Sequence, residues 1–299
     1  MLLAGIFSLL LLPAEADACR LAVNQGRQQF SERHFELAAS SFERALSLCP
    51  ERSSLFLRIA QSQLMAQNAS EALQTVGRAL RIDPRNTAAL KLQSDAQYLL
   101  GNDEAAAQPL ITARQIDPNN PEFPYALGRI YYQQHRYGDA VPLFQEALAL
   151  DPKSYKAYDN LGLCYEAMGE NEQAIRSYTL SLELVYKDHP EYDWVYANFS
   201  ELMMKLGRYE EAFQLAAEAA ARNPSSARNY FLTGKALAKL GKWRLSERWL
   251  KRAAELDPHY AEPHYLLAQT YRKQGEEREA LHELDQFKKL ASSQPREHR

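Results

Sequence analysis

The chain has 299 residues, with 35 Lys and Arg against 38 Asp and Glu and a net charge of −3. That balance, without a basic run, argues against a phosphate-backbone partner. Leu, Ala, Glu, Gln and Arg are abundant while Gly (12) and Pro (14) are sparse, a composition that favours helix.

The first element is apolar. Leu2 to Leu12 carries no charge and only Ser8 as a polar side chain, and Pro13 and the small-residue run Ala14-Glu15-Ala16-Asp17-Ala18 follow. This reads as a signal peptide over 1–18 with cleavage after Ala18. Eleven residues are too few to span a bilayer. The leader has no Lys or Arg ahead of its apolar stretch, which departs from the usual pattern. Processing at Ala18 removes Glu15 and Asp17, leaving 35 basic and 36 acidic side chains and a net charge of −1. No other segment is apolar for 18 residues, so no membrane anchor is expected beyond the leader.

From Cys19 onward the chain repeats. Prolines stand at 50, 84, 118 and 152, each 34 residues after the last, and again at 224 and 258. A sustained period of this kind signals a repeat architecture, which grows in one dimension and needs no single large core. With Cys19 as position 1, eight repeats run over 19–52, 53–86, 87–120, 121–154, 155–188, 193–226, 227–260 and 261–294. Position 8 is always small, from Gly26, Ala60 and Ser94 to Gly128, Gly162, Ser200, Gly234 and Ala268. Position 20 is Ala in all but one repeat, where it is Ser246. Position 24 is bulky and apolar in all but one, as in Phe42, Val76, Phe144, Tyr178 and Leu250. Small residues at fixed places let two helices approach closely. Gly101, Gly169, Gly207, Gly241 and Gly275 at position 15 mark a turn between two helical stretches. Each proline ends the second stretch.

Repeat five breaks the period. Tyr186 stands where Pro is expected, and the next proline, Pro190, comes four residues late. Four residues are about one helical turn, so the second helix of this repeat can lengthen by a turn and keep its buried face aligned. The expected reading is a tolerated loop insertion; the alternative is an insertion that bends the superhelix and shapes a pocket near Trp194. Residues 295–299 form a polar tail that is expected to be disordered.

This pattern resembles the tetratricopeptide repeat, most closely over Pro121 to Ser154 with Gly128, Tyr131, Tyr137, Ala140, Phe144, Ala147 and Pro152. The resemblance implies an all-α fold, a right-handed superhelical solenoid of antiparallel helix pairs, whose first helices line a groove. It implies a non-catalytic adaptor or scaffold that binds a protein or peptide there. The implied peptide-binding residues are Tyr125, Arg129, Tyr132, Lys156, Asn160, Trp194, Asn198 and Phe231, with Asp159, Glu201, Arg228, Lys235, Tyr265 and Arg272 on the same face. Aromatics beside Arg and Asn suit polypeptide recognition. The family's clamp for acidic chaperone tails is not expected, because Lys91 is followed by Asp95 and Ala126 rather than the required Asn residues. The Asn ladder of the glycosyltransferase repeats has a local echo in Asn160 and Asn198. The alternative function is the substrate-recognition part of an enzyme complex such as a glycosyltransferase. The short tail after the last repeat argues against a fused catalytic domain.

Cys19 opens the first helix of repeat one, and Cys49 follows the end of its antiparallel partner. Those two ends should lie close, so a disulfide is expected in an oxidising compartment. Alternatives are two unpaired thiols, or lipidation of Cys19 at the cleavage site, for which Ala16-Asp17-Ala18 is a poor match. Cys164 reads as a core thiol. No metal-binding, phosphate-loop or nucleophile motif occurs, so neither a cofactor nor enzymatic activity is expected. The expected location is periplasmic or secreted, with lipid-anchored and cytoplasmic as alternatives.

Overall fold

A computed structural model describes residues 13–49 and 53–293. The apolar leader up to Leu12, Pro50 and the tail lie outside these residues. Among them are sixteen helices and no strand. Contacts divide the chain into a first unit ending at Pro152 and a second beginning at Lys153.

The first unit holds α1 (Pro13–Ser31), α2 (Phe35–Leu48), α3 (Ser53–Met65), α4 (Ala69–Ile82), α5 (Thr87–Leu99), α6 (Asp103–Ile116), α7 (Glu122–Gln133) and α8 (Tyr137–Leu150). The second holds α9 (Tyr155–Ala167), α10 (Asn171–Asp188), α11 (Trp194–Lys205), α12 (Tyr209–Arg222), α13 (Ala227–Lys239), α14 (Trp243–Leu256), α15 (Ala261–Gln274) and α16 (Glu277–Ser293). They fit about eight helix pairs. Within each unit, each first helix packs on its own second helix, and that second helix packs on the next first helix.

The small residue at position 8 faces the bulky one at position 24. A Cβ added to Gly26 would come within 2.7 Å of the Phe42 ring. One at Gly128 would come within 2.9 Å of Phe144, and one at Gly162 within 2.4 Å of Tyr178. Phe42, Phe144 and Tyr178 are fully buried as a result, each stabilising its pair by about 2–3 kcal/mol through apolar burial. At two crossings where Ser replaces Gly or Ala, its hydroxyl is satisfied across the pair. Ser200 donates to the Ala212 carbonyl at 2.9 Å, and Ser246 to that of Gly234 at 2.7 Å.

The turn between paired helices uses a left-handed residue. It is glycine in five repeats but Arg33, Gln67 and His135 in three, with φ between 58° and 64°. The Asp-Pro steps end second helices with Asp83, Asp117, Asp151 and Asp257 out of helical geometry. Asp83 and Asp257 then accept from the backbone amides two residues on, of Arg85 and His259, which is the Asx turn that suits this residue type.

α10 has 18 residues, where α8 and α12 have 14. The extra turn is helix, and Tyr178, Ser181 and Val185 along it stay fully buried. Cys19 and Cys49 are joined by a disulfide with their Cα atoms 5.2 Å apart, and Cys164 is buried and free.

Candidate functional site

First helices touch one another along each unit: α3 meets α5, while α9, α11, α13 and α15 meet in succession. They form the inner row, so side chains that leave them away from the second helices share one face.

In the second unit a polar ladder crosses this row. Asp159 of α9 is buried and accepts from the Tyr192 hydroxyl at 2.7 Å and the Asn198 amide at 3.1 Å. The Asn198 carbonyl oxygen accepts from Arg228 of α13 at 3.1 Å, and the same guanidinium donates to Glu201 at 2.8 Å. Burial pushes the Asp159 carboxyl up to about 6, against the opposing pull of its two hydrogen bonds and the Arg228 charge. Tyr192 reaches Asp159 from the segment after the lengthened α10, where Tyr155 packs on His189 and Tyr192 with centroids at 4.2 and 4.8 Å.

The ladder fixes what lies above it. Arg228 is placed 5.6 Å from the Trp194 ring, a cation–π arrangement, and that indole remains 56% exposed. Phe231, half-buried, packs edge-on against Tyr260 at 5.3 Å and carries the Lys235 ammonium 5.7 Å from its ring. Lys156 is exposed with its ammonium 5.7 Å from the Tyr155 ring. Asn160 donates to the Lys156 carbonyl at 2.8 Å. Trp194, Arg228, Phe231 and Lys235 thus form a mixed aromatic and cationic surface on a rigid polar base.

The first unit offers a smaller feature. Lys91, Asp95 and Tyr98 of α5 with Glu122, Tyr125 and Arg129 of α7 line a recess of about 150 Å³. Arg129 lies 5.7 Å from the Tyr98 ring, and Lys91 pairs with Asp95 at 2.7 Å and Glu122 at 3.5 Å.

Not every expected residue is presented. Asn198 is only 5% exposed, with its amide committed to Asp159 and Arg228, so it holds the site and offers nothing to a ligand backbone. Tyr132 turns toward the Tyr137 ring at 5.4 Å rather than joining the recess that Tyr125 and Arg129 line. Tyr125, Arg129 and Tyr132 belong to the first unit, whereas Lys156, Asn160, Trp194, Asn198 and Phe231 belong to the second. Tyr192 was not legible beforehand, because it lies in the insertion, outside the repeating positions.

Family models for the tetratricopeptide repeat match residues 23–121 and 201–295 in overlapping segments, with others over 128–169 and 154–225. The chain belongs to the tetratricopeptide-repeat family. Its segment of 137 residues is 29% identical to the human protein O-mannosyl-transferase TMTC1, covering 46% of this chain and 15% of that protein. A segment of 85 residues is 31% identical to the STIP1 homolog of Dictyostelium discoideum, covering 28% of this chain and 14% of that one. The match therefore spans about a seventh of either relative. Among solved structures, a tetratricopeptide-repeat protein from Parabacteroides merdae aligns with a TM-score of 0.66 at 19% identity, over 85% of this chain and 99% of that one. The APC/C hetero-tetramer Cut9-Hcn1 aligns with the same score at 13% identity, over 92% and 53%.

A tetratricopeptide-repeat fold supports a protein-interaction scaffold, and the exposed chemistry here is of that kind. Among the described residues no three His, Cys, Asp or Glu side chains gather as a metal site. No described helix is long and apolar enough to cross a membrane.

Proposed function

We propose that this chain is a non-catalytic adaptor that holds a polypeptide segment of a partner protein on the first-helix face of its second unit. The observation that carries the reading is Trp194, exposed on the first-helix face beside the Arg228 guanidinium, which a partly buried polar ladder holds. A large aromatic surface held rigid loses little freedom on binding, which is what binding hot spots require. Phe231 and Lys235 extend the surface, and Lys156 borders it.

We further propose that the protein works outside the reducing cytoplasm, in the cell envelope or beyond. The apolar leader and the Cys19–Cys49 bond both favour an oxidising compartment. A second reading, recognition of substrate for an enzyme assembly, draws support from the similarity to a protein O-mannosyl-transferase.

A photo-crosslinking side chain placed at Trp194, and in a second variant at the exposed Tyr186 of α10, tests the site. The partner peptide should be captured from native-host extract at position 194 and not at 186, and Phe231→Ala should lower that capture by at least about tenfold. Equal capture at both positions overturns the assignment of the face. Sequencing the captured peptide separates an assembly partner from an enzyme.

A further inference from the structure

Position 13 of the repeat is lysine three times running in the second unit: Lys205, Lys239 and Lys273, each 34 residues after the last. Lys205 shows what this position reaches. Its ammonium pairs with the Glu166 carboxylate, which stands at position 12 of the preceding repeat and also accepts from the Tyr178 hydroxyl at 2.8 Å. The contact runs from α11 to α9 along the row of first helices. The residues at position 12 ahead of Lys239 and Lys273 are Met204 and Ala238, which carry no charge. Both lysines are exposed, and neither has an ion-pair partner among the described residues.

The rest of the row has the same bias. Its inner carboxylates are engaged already, Asp159 by Tyr192 and Asn198, and Glu201 by Arg228. Glu262 is exposed and without an ion-pair partner among the described residues. Against it stand Lys156, Lys235, Lys239 and Lys273, which also have none. This face is therefore short of negative charge, although the whole chain is at −3. Charge complementarity fixes what suits such a face. Carboxylates answer the lysines, and apolar groups answer the Trp194 and Phe231 rings beside them.

We infer that Lys239 and Lys273 receive side-chain carboxylates of the partner, so that the segment held on this face is acidic with apolar residues between its acids. Each such carboxylate repeats from outside the contact that Glu166 makes from within. The inference rests on the adaptor reading and adds the chemistry of its ligand.

The test is a titration of the full chain, followed by fluorescence anisotropy, with a labelled peptide of repeating Glu-Phe-Gly. Both ends are capped, so only side-chain carboxylates are offered. A repeating Gln-Phe-Gly peptide has the same shape without the charge. The Glu peptide should bind at least about tenfold tighter, and the difference should shrink as salt is raised. Lys239→Gln with Lys273→Gln should remove it. Arg248→Gln with Lys288→Gln takes the same charge from exposed positions on the second helices α14 and α16 and should leave it intact. Met204→Glu should also weaken the Glu peptide, because it gives Lys239 the internal partner that Lys205 has. Equal binding of the two peptides, binding of neither, or a difference that survives the double lysine variant overturns the inference. Displacement of the Glu peptide by single-stranded DNA of equal charge also overturns it, in favour of phosphate. Trp194→Ala should weaken both peptides alike. If it changes neither, the adaptor reading of this face fails. If it weakens both while Glu and Gln bind equally, the acidic ligand alone is wrong.

Discussion

Replacing Gly162 by Ala puts the pairing of positions 8 and 24 under direct test. The added Cβ would lie 2.4, 2.5 and 2.8 Å from three carbons of the Tyr178 ring. That ring is fully buried, stacks on Phe199 at 5.4 Å and anchors its hydroxyl on Glu166 at 2.8 Å, so it has little room to retreat. Overpacking of this kind costs about 1–3 kcal/mol, and a rigid, doubly held ring places it near the top of that range. Alanine in a helix interior returns about 1 kcal/mol over glycine. The net loss should be about 2 kcal/mol. Gly77 of α4 is the control, since a Cβ there meets nothing within 4 Å, and Gly77→Ala should gain about 1 kcal/mol. Urea unfolding followed by circular dichroism reads both. On a Tyr178→Val background, copying the Ala60 and Val76 pair of repeat two, Gly162→Ala should turn from harmful to stabilising. If the two alanines behave alike, or the cost survives the valine, the packing argument is wrong.

Asp159 should make stability depend on pH in the direction opposite to an ordinary paired carboxylate. Its folded value is raised to about 6 from 3.8, so the folded state holds the proton more tightly. The contribution of Asp159 to stability is full below about pH 4, falls by about 3 kcal/mol as pH rises from there through about 6, and is flat above. Asp159→Asn should flatten that segment, as read from urea midpoints at about pH 4 and about pH 8. Reducing the Cys19–Cys49 bond should cost about 3–4 kcal/mol in the chain-entropy view. Hydrogen exchange should show the loss in α1 and α2 and leave α13 and α14 protected. Gln67→Gly relieves a left-handed residue with φ 64° and should raise the melting temperature, whereas Gly207→Ala, at φ 75°, should cost about 1 kcal/mol.

The helix pairs were legible because their causes are periodic. A small residue at 8, a bulky one at 24 and a proline at 32 impose the same constraint every 34 residues, and α3, α5, α9, α13 and α15 begin at Ser53, Thr87, Tyr155, Ala227 and Ala261. Four extra residues allowed α10 one more turn but read more simply as a loop insertion, and the structure places them in helix. The roles within the site could not be read. Asn198 and Asn160 occupy the same position of adjacent repeats, yet Asn198 is buried because Asp159, 39 residues away, draws in its amide. Tyr192 completes that network from the one segment that obeys no period.

The complementarity of positions 8 and 24 also limits how such a protein can be reshuffled. Glycine faces a ring in repeats one, four and five, alanine faces valine in repeat two, and Ser200 faces Ala216 in repeat six. A crossover that falls in a turn between paired helices would join Ser200 to Tyr178, or Gly162 to Ala216, and create a collision in one product and a void in the other. Crossovers at the Asp-Pro steps preserve every such couple. The piece that can be exchanged between relatives or built into a chimaera is therefore the whole helix pair, cut at its prolines and not at its glycines.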